Sequence, residues 1–172
     1  MRVLKSKNIV LIGFMGVGKG TIAREMSKQS KLYALDCDDL IESLENKKIK
    51  KIFEESGEEY FRKLEQETAK WLEKNVKNSI ISTGGGFYKV KNLKKIGTVI
   101  YLQSTFDGIL KRILSHPNAK GKLEKRPLLK DLKKARFIFD ERIKSYEKCA
   151  DLVINVEEKL PKEIVKEILG LF

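Results

Sequence analysis

The chain has 172 residues, of which 41% are hydrophobic and 35% charged, and its formal net charge is +12. These values are typical of one globular domain and exclude a disordered chain, while two cysteines are too few for a disulfide-stapled scaffold. No apolar stretch reaches the ~20 residues of a transmembrane helix, and the start MRVLKSKN has no apolar signal region. We therefore expect a cytoplasmic protein that does not contact the membrane.

Short apolar runs alternate along the chain with longer charged segments that have helical spacing. The alternation indicates an α/β domain whose parallel sheet is covered by helices on both faces. Two apolar stripes are predicted to be buried, one formed by Phe61, Leu64, Thr68 and Trp71 and the other by Leu132, Ala135, Phe139, Ile143 and Tyr146. Strands are predicted at 8–12, 32–35, 79–82, 98–102 and 152–156, and helices at 21–30, 39–44, 49–55, 58–74, 105–114, 132–148 and 161–171.

The first predicted strand is followed by GFMGVGKGT, which nearly matches the phosphate-loop pattern G-x-x-x-x-G-K-[ST]. Its glycines let backbone N–H groups turn toward phosphate oxygens, and a lysine adds a full charge where the next helix begins. A dinucleotide fingerprint G-x-G-x-x-G starting at Gly16 fits less well, because its third glycine would fall on Thr21. The pattern predicts a mononucleotide-binding loop made of Gly13, Met15, Gly16, Val17, Gly18, Lys19, Gly20 and Thr21.

Gly20 departs from this pattern, because a serine or threonine hydroxyl that ligates Mg²⁺ is expected there. A water can take the vacated coordination position, so we expect magnesium binding to be weakened rather than lost. Thr21, the next residue, can still donate its hydroxyl to a more distal phosphate.

Two aspartates, Asp36 and Asp38, end the second predicted strand at the edge of the sheet where ligands of open parallel sheets bind. In extended geometry both carboxylates face one cleft and Cys37 faces away, which predicts an acidic partner for magnesium. Helix capping by Asp38 or Asp39 is the alternative interpretation.

The third predicted strand ends in three glycines, Gly84, Gly85 and Gly86, and no aspartate follows it. Such a run lets a ligand approach the main chain, although it could also be a plain turn. Two arginines complete the candidate site: Arg62, which could merely pair with Glu58 one helical turn earlier, and Arg142, which could be ordinary surface.

The basic stretch at 116–127, HPNAKGKLEKRP, contains two prolines and is not assigned to a helix or strand. A polar loop of this length in a compact domain is usually functional, so we expect a mobile lid, with a plain solvated loop as the alternative.

Together these residues resemble the shikimate kinase family over nearly the whole chain, through GFMGVGK, DCDD, FEESGEEYFRKLE, TGGGF, KRPLL and ERIKSY. The resemblance implies a single kinase domain over 1–172 of the nucleoside-monophosphate-kinase type, with a five-stranded parallel sheet in the order 2-3-1-4-5 flanked by helices. It implies transfer of the γ-phosphoryl group of ATP to the 3-hydroxyl of shikimate, in a cytoplasmic and monomeric enzyme of aromatic amino-acid biosynthesis.

The same resemblance implies roles for individual residues. Lys19 and the loop backbone would hold the phosphates of ATP, Asp36 would bind Mg²⁺ through water, and Asp38 would act as base. Shikimate would be bound by Asp38, Arg62, Gly84, Gly85, Gly86 and Arg142, within a helical region at about 38–74. Arg126 on the lid would reach the transferring phosphate, and the adenine would lie near Asn155 and Arg112.

Two other interpretations remain open at this stage. One is another small-molecule kinase of the same fold, although an adenylate kinase would show D-G-[FY]-P-R where this chain has STGGGF. The other is a non-catalytic basic protein that binds nucleic acid, which the spread of lysines along the chain and the lack of a recognisable binding module make less favourable.

Overall fold

The computed structural model describes residues 7–124 and 126–172. Five strands form one parallel sheet in the order β2-β3-β1-β4-β5. This order confirms the predicted topology. The strands are β1 (Asn8–Ile12), β2 (Tyr33–Asp36), β3 (Ser79–Ser82), β4 (Gly97–Gln103) and β5 (Leu152–Asn155).

Helices connect the strands and cover both faces of the sheet. They are α1 (Lys19–Ser30), α2 (Cys37–Glu45), α3 (Ile49–Asn75), α4 (Leu93–Ile96), α5 (Phe106–Leu114), α6 (Ala119–Glu124), α7 (Leu132–Cys149) and α8 (Pro161–Leu169). Two short 3-10 turns follow β3 and α6, at Phe87–Lys89 and Pro127–Lys130. No helix within 7–124 and 126–172 is both long and apolar enough to span a membrane.

The central strand β1 determines where ligands can bind. All five of its residues are buried, and it pairs with β3 on one side and β4 on the other. Because the chain leaves this point in both directions across the sheet, the crevice beyond the carboxyl end of β1 is the topological switch point of the fold. The carboxyl ends of β2 and β3 lie beside it, since Asp36 is in register with Ser82.

Helix α3 shows how the predicted and observed elements differ in detail. It is broken at Gly57, whose φ of 79° and ψ of 174° lie outside the helical region, so two predicted helices meet there. In the second part, Phe61, Leu64 and Thr68 are buried as predicted, but Trp71 is 49% exposed. The reason is the helical period of 3.6 residues, which carries Leu72 rather than Trp71 back to the buried face.

Two further expectations are corrected. Leu132 is exposed because it is the first residue of α7 and projects beyond the part of that helix that packs on the sheet. The stretch at 116–127 is not a loop throughout, since Ala119–Glu124 forms α6; residue 125 lies outside the described residues. The missed helix is short and has no buried residue, so it lacks the apolar period on which the sequence prediction depends.

Candidate active site

The loop after β1 has the backbone conformation of a phosphate cradle. Gly13, Gly16 and Gly18 all have positive φ values, of 145°, 83° and 112°. The Lys19 side chain folds back over this loop, where its Nζ donates to the carbonyl oxygens of Gly13 at 2.6 Å and Phe14 at 3.0 Å. The ammonium group is thereby held at the mouth of the loop, at the amino end of α1.

Charged residues from distant parts of the sequence affect the pKa of Lys19. Burial lowers the pKa of Lys19 to about 8, and the carboxylates of Asp38 and Asp36 oppose that shift. The positive charges of Arg126 and Arg142 lower the pKa further. The lysine therefore lies within electrostatic reach of both aspartates and of two arginines from the carboxyl-terminal third of the chain.

Asp36 caps helix α2. Its Oδ1 accepts hydrogen bonds from the backbone N–H groups of Asp38 at 2.9 Å and Asp39 at 3.4 Å. The capping residue is thus Asp36, and the alternative in which Asp38 or Asp39 caps this helix is wrong. The other oxygen, Oδ2, lies 3.8 Å from the position that a Cβ at Gly20 would occupy, as does the Ser82 hydroxyl.

This corner of the site fits magnesium, although the hydroxyl normally supplied at position 20 is absent. Mg²⁺ is commonly held by one or two carboxylates, with waters and substrate phosphate oxygens completing its six ligands. A carboxylate oxygen of Asp36 faces the phosphate loop, and Ser82 adds a second hard oxygen beside it. Both lie next to Gly20, where the missing hydroxyl would have been.

Asp38 does not reach the site through extended geometry, as the sequence suggested, because it belongs to the first turn of α2. Its Oδ1 is buried and has no hydrogen-bond partner among the described residues. That oxygen lies 2.9 Å from where a Cβ at Gly84 would be placed. Burial, reinforced by the charges of Asp36 and Glu65, raises the pKa of Asp38 to about 7, although Lys19 counteracts the shift.

Glu65 is a site residue that the sequence interpretation missed. It is 1% exposed, and its Oε2 accepts from Arg62 Nη1 at 2.6 Å. Its Oε1, which has no partner within the described part of the chain, points at Gly84 from 3.3 Å, measured to a Cβ position. The available signal was a charged residue on the buried side of α3, three residues after Arg62.

Arg62 makes the predicted pair with Glu58, through Nε at 3.1 Å and Nη2 at 2.8 Å. Since Glu65 holds a third nitrogen, the guanidinium is fixed in orientation by two carboxylates. Its fork lies directly against Gly86, where a Cβ would come within 2.7 Å of Nη2. Arg62 is therefore part of the glycine-lined pocket as well as a surface ion pair.

Gly85 connects the phosphate loop to α7. A Cβ on this residue would lie 3.5 Å from the Met15 backbone nitrogen and 3.4 Å from Arg142 Nη1. The Gly85 carbonyl oxygen accepts from Arg142 Nη1 at 3.3 Å and from the Tyr146 hydroxyl at 2.6 Å. The three glycines after β3 thus form the floor of a pocket walled by Asp38, Arg62, Glu65 and Arg142.

The two regions suggested for the adenine also meet. Arg112 on α5 donates through Nη2 to the Val156 carbonyl oxygen, and to that of Lys159 at 3.3 Å. Asn155, at the end of β5, turns its Oδ1 to the Glu157 backbone N–H at 2.8 Å. The loop after β5 is therefore fastened to α5 by an arginine.

Arg126 follows α6, and its Nη1 donates to the Lys122 carbonyl oxygen at 2.6 Å. Burial lowers the pKa of this arginine from its usual value. The positive charge of Arg126 contributes to the lowered pKa of Lys19.

The fold and this edge of the sheet define the class of protein, which is an ATP-dependent kinase of the phosphate-loop type. The chain matches the family model for shikimate kinase over residues 15–171. It is 41% identical to a shikimate kinase of Helicobacter hepaticus, over 95% of this chain and 94% of that protein. A shikimate kinase of Sulfurihydrogenibium sp. is 38% identical, over 95% and 96%.

Solved structures agree with these relatives. A shikimate kinase from Acinetobacter baumannii in complex with shikimate superposes with a TM-score of 0.85 at 29% identity, covering 97% of this chain and 93% of that one. The enzyme from Aquifex aeolicus gives a TM-score of 0.77 at 38% identity, covering 95% and 94%. The chain belongs to the shikimate kinase family. It catalyses the ATP-dependent phosphorylation of shikimate with Mg²⁺ as cofactor, and the prediction from sequence is confirmed.

Proposed function

We propose that shikimate binds over Gly84, Gly85 and Gly86, between Arg62, Arg142 and Asp38. The observation that carries this proposal is the convergence of side chains from α2, α3 and α7 on one run of glycines. A polyol with one carboxylate matches such a pocket, because it offers hydroxyls to the main chain and an anion to the arginines.

The shikimate carboxylate would be clamped by Arg62 and Arg142. Guanidinium groups bind carboxylates through paired hydrogen bonds, and each arginine has at least one guanidinium nitrogen beside the glycine floor. Glu65 and Glu58 hold the Arg62 fork in place before the substrate arrives. A guanidinium group that is already oriented loses less conformational entropy on binding than a free side chain does.

Asp38 would bind the acceptor hydroxyl and take its proton as the 3-hydroxyl attacks the γ-phosphorus. A carboxyl with a pKa of about 7 can accept a proton near neutral pH, and its buried Oδ1 offers a free acceptor beside Gly84. Because the phosphoryl transition state is loose, most of the rate enhancement would come from positioning and charge neutralisation.

ATP would lie along the loop formed by residues 13–21, with Lys19 at its β and γ phosphates and Arg126 over the transferring group. Asp36 would hold Mg²⁺ through water at the corner beside Gly20, where the ion supplies charge neutralisation to the phosphates. The adenine would occupy the region between Arg112 and the loop after Asn155.

We further propose that residues 1–172 form one kinase domain, with substrate contacts at about 38–74 and a lid at about 116–127 that moves on ligand binding. A closing basic lid excludes water that would otherwise hydrolyse ATP. The enzyme would act in the cytoplasm as a monomer and without nucleic acid; its cysteines are unpaired, as is usual in reducing compartments. Light scattering should give the mass of a single chain.

The experiment that tests the site is a substrate panel with matched variants. With ATP and Mg²⁺ the protein should release ADP with shikimate, but not with AMP, CMP or gluconate. Lys19→Met and Asp38→Asn should each lower turnover of shikimate by 10²-fold or more while the thermal midpoint shows a folded protein. Asp39→Asn is the control, since Asp39 is the exposed neighbour of Asp38. Undiminished activity of Asp38→Asn would refute its role as base.

A further inference from the structure

Tyr146 on α7 is buried beneath the glycine floor. It is 1% exposed, and its hydroxyl donates to the Gly85 carbonyl oxygen at 2.6 Å. Its ring stacks on Tyr101, with centroids 5.2 Å apart, and meets Tyr88 edge-on at 5.0 Å. Two aromatic neighbours therefore fix the ring, so the hydroxyl has little freedom to leave the carbonyl.

The same carbonyl oxygen receives a second and longer hydrogen bond, from Arg142 Nη1 at 3.3 Å. An arginine that is to clamp a carboxylate has to direct its nitrogens at that carboxylate. If Arg142 were the sole donor to Gly85, substrate binding would leave a partly buried carbonyl oxygen without its hydrogen bond, which costs free energy. Tyr146 keeps this oxygen paired and leaves the arginine fork available.

The orientation of the peptide between Gly85 and Gly86 follows from the same hydrogen bond. Among the described residues no peptide bond is cis, so the Gly86 N–H points away from the side to which the Gly85 carbonyl points. The carbonyl points toward α7, and Gly86 lies against the Arg62 guanidinium on α3. Fixing the carbonyl to α7 therefore directs the N–H into the pocket on the other side.

Burial raises the pKa of the Tyr146 hydroxyl well above its usual value, and the nearby Arg142 charge only partly opposes this. The hydroxyl consequently stays protonated at any pH where the protein is folded and active. It remains a donor throughout, and a carbonyl oxygen can only accept.

We propose that Tyr146 is a positioning residue for the acceptor: its hydroxyl holds the Gly85 carbonyl, which frees Arg142 for the substrate carboxylate and aims the Gly86 N–H at the substrate. The inference rests on the proposed function, in which Arg142 and the glycine backbone contact shikimate. Tyr146 touches neither substrate directly, so its effect is confined to the acceptor half of the site.

The test compares Tyr146→Phe with Tyr101→Phe. Both remove one hydroxyl from the same buried aromatic cluster, but only the first removes the donor to Gly85. We expect Tyr146→Phe to raise KM for shikimate about threefold to tenfold, which is what the loss of one partly buried hydrogen bond gives, while KM for ATP changes less than about twofold. Tyr101→Phe should leave both KM values unchanged.

A purely structural role predicts another pattern. In that case Tyr146→Phe would lower the thermal midpoint and change both KM values alike, or change neither, and each result would overturn the inference. Titration of ligand-free protein with shikimate by calorimetry gives an independent measure of the same loss.

An Arg142→Gln background separates failure of this inference from failure of the proposed site. If Arg142→Gln leaves KM for shikimate unchanged, the proposed carboxylate clamp is wrong. If it raises KM but Tyr146→Phe does not, only the positioning role is wrong. If both substitutions raise KM, the further loss on adding Tyr146→Phe to Arg142→Gln should be smaller than the loss that Tyr146→Phe causes alone, because only the orientation of the Gly86 N–H then depends on Tyr146. Full additivity would count against the inference.

Discussion

The rate of shikimate phosphorylation should depend on pH through Asp38. Burial and the charges of Asp36 and Glu65 raise the pKa of this carboxyl to about 7 in the ligand-free protein. A base must be ionised to accept a proton, so activity should rise with pH through that value. One pH unit below its pKa, a carboxyl is ionised to about a tenth, so kcat/KM for shikimate at pH 6 should be about a tenth of its plateau.

The pKa of Lys19 determines where the rate falls at the alkaline end of the pH–rate profile. Burial lowers the pKa of its ammonium to about 8, so part of its positive charge is lost above that pH in the free enzyme. Because kcat/KM reports the ionisation of the free enzyme, we expect a narrow optimum between pH 7 and 8. Bound phosphates stabilise the ammonium, so the upper limb should move to higher pH in kcat.

The control variant is Glu65→Gln. The Glu65 charge contributes to the raised pKa of Asp38. Its removal should therefore move the acidic side of the pH–rate profile (the acid limb) to lower pH. The maximal rate should fall as well, since Arg62 loses a hydrogen-bond partner. The informative quantity is the pH at which the rate falls on the acidic side of the profile. ATP titrates identically with both enzymes, so the difference between the profiles isolates the protein groups.

The assay is the initial rate of ADP release, measured by chromatography from pH 5.5 to 9 at saturating Mg²⁺. Concentrations of ATP and shikimate below their KM values report the free enzyme, and saturating concentrations of both report kcat. Chromatographic detection avoids coupling enzymes with their own pH dependence. A fall in rate only below pH 5, or at the same pH in Glu65→Gln as in the wild type, would refute the account of Asp38. So would an unchanged acid limb in the residual activity of Asp38→Asn.

Two further predictions concern glycines. A Cβ at Gly20 would meet only side-chain atoms, 3.4 Å or more away, so Gly20→Ser should fold normally. The serine should restore the hydroxyl beside Asp36 and lower the Mg²⁺ concentration that gives half-maximal activity. An unchanged or higher Mg²⁺ requirement would contradict the role given to this position. Gly86 has an ordinary backbone conformation, with φ of −104°, but a Cβ there would overlap the Arg62 guanidinium. Gly86→Ala should therefore raise KM for shikimate at least about tenfold, and more than Gly85→Ala does, with little change in KM for ATP; equal effects of the two variants in steady-state kinetics would argue against a close approach of Arg62 to Gly86.

Several parts of the fold could be predicted because they depend on local sequence. Short apolar runs predict buried parallel strands, and all five strands were placed to within one residue at each end. The glycines of the phosphate loop have conformations that few other residues adopt, so the residue types alone predict the turn after β1. The strand order came from the family resemblance, since periodicity does not specify which strands pair.

Other features of the fold leave no signal in the local sequence. Asp36 rather than Asp39 caps α2, which local propensity cannot distinguish, because all three aspartates there are good capping residues. Helix α6 has no buried face and so leaves no periodic pattern to detect.

Residue types and their spacing along the chain establish the chemical groups that this protein can use: a phosphate loop that lacks one hydroxyl, a pair of aspartates and a glycine run at strand ends, and arginines suited to a carboxylate. The tertiary structure decided which of these groups meet and in what electrostatic state. Glu65 becomes part of the site because α3 turns it inward against Gly84, and Tyr146 because α7 brings its hydroxyl to a carbonyl 61 positions away in the chain. Raised and lowered pKa values arise only when folding removes water and brings charges together, so the readiness of Asp38 to accept a proton is a property of the fold.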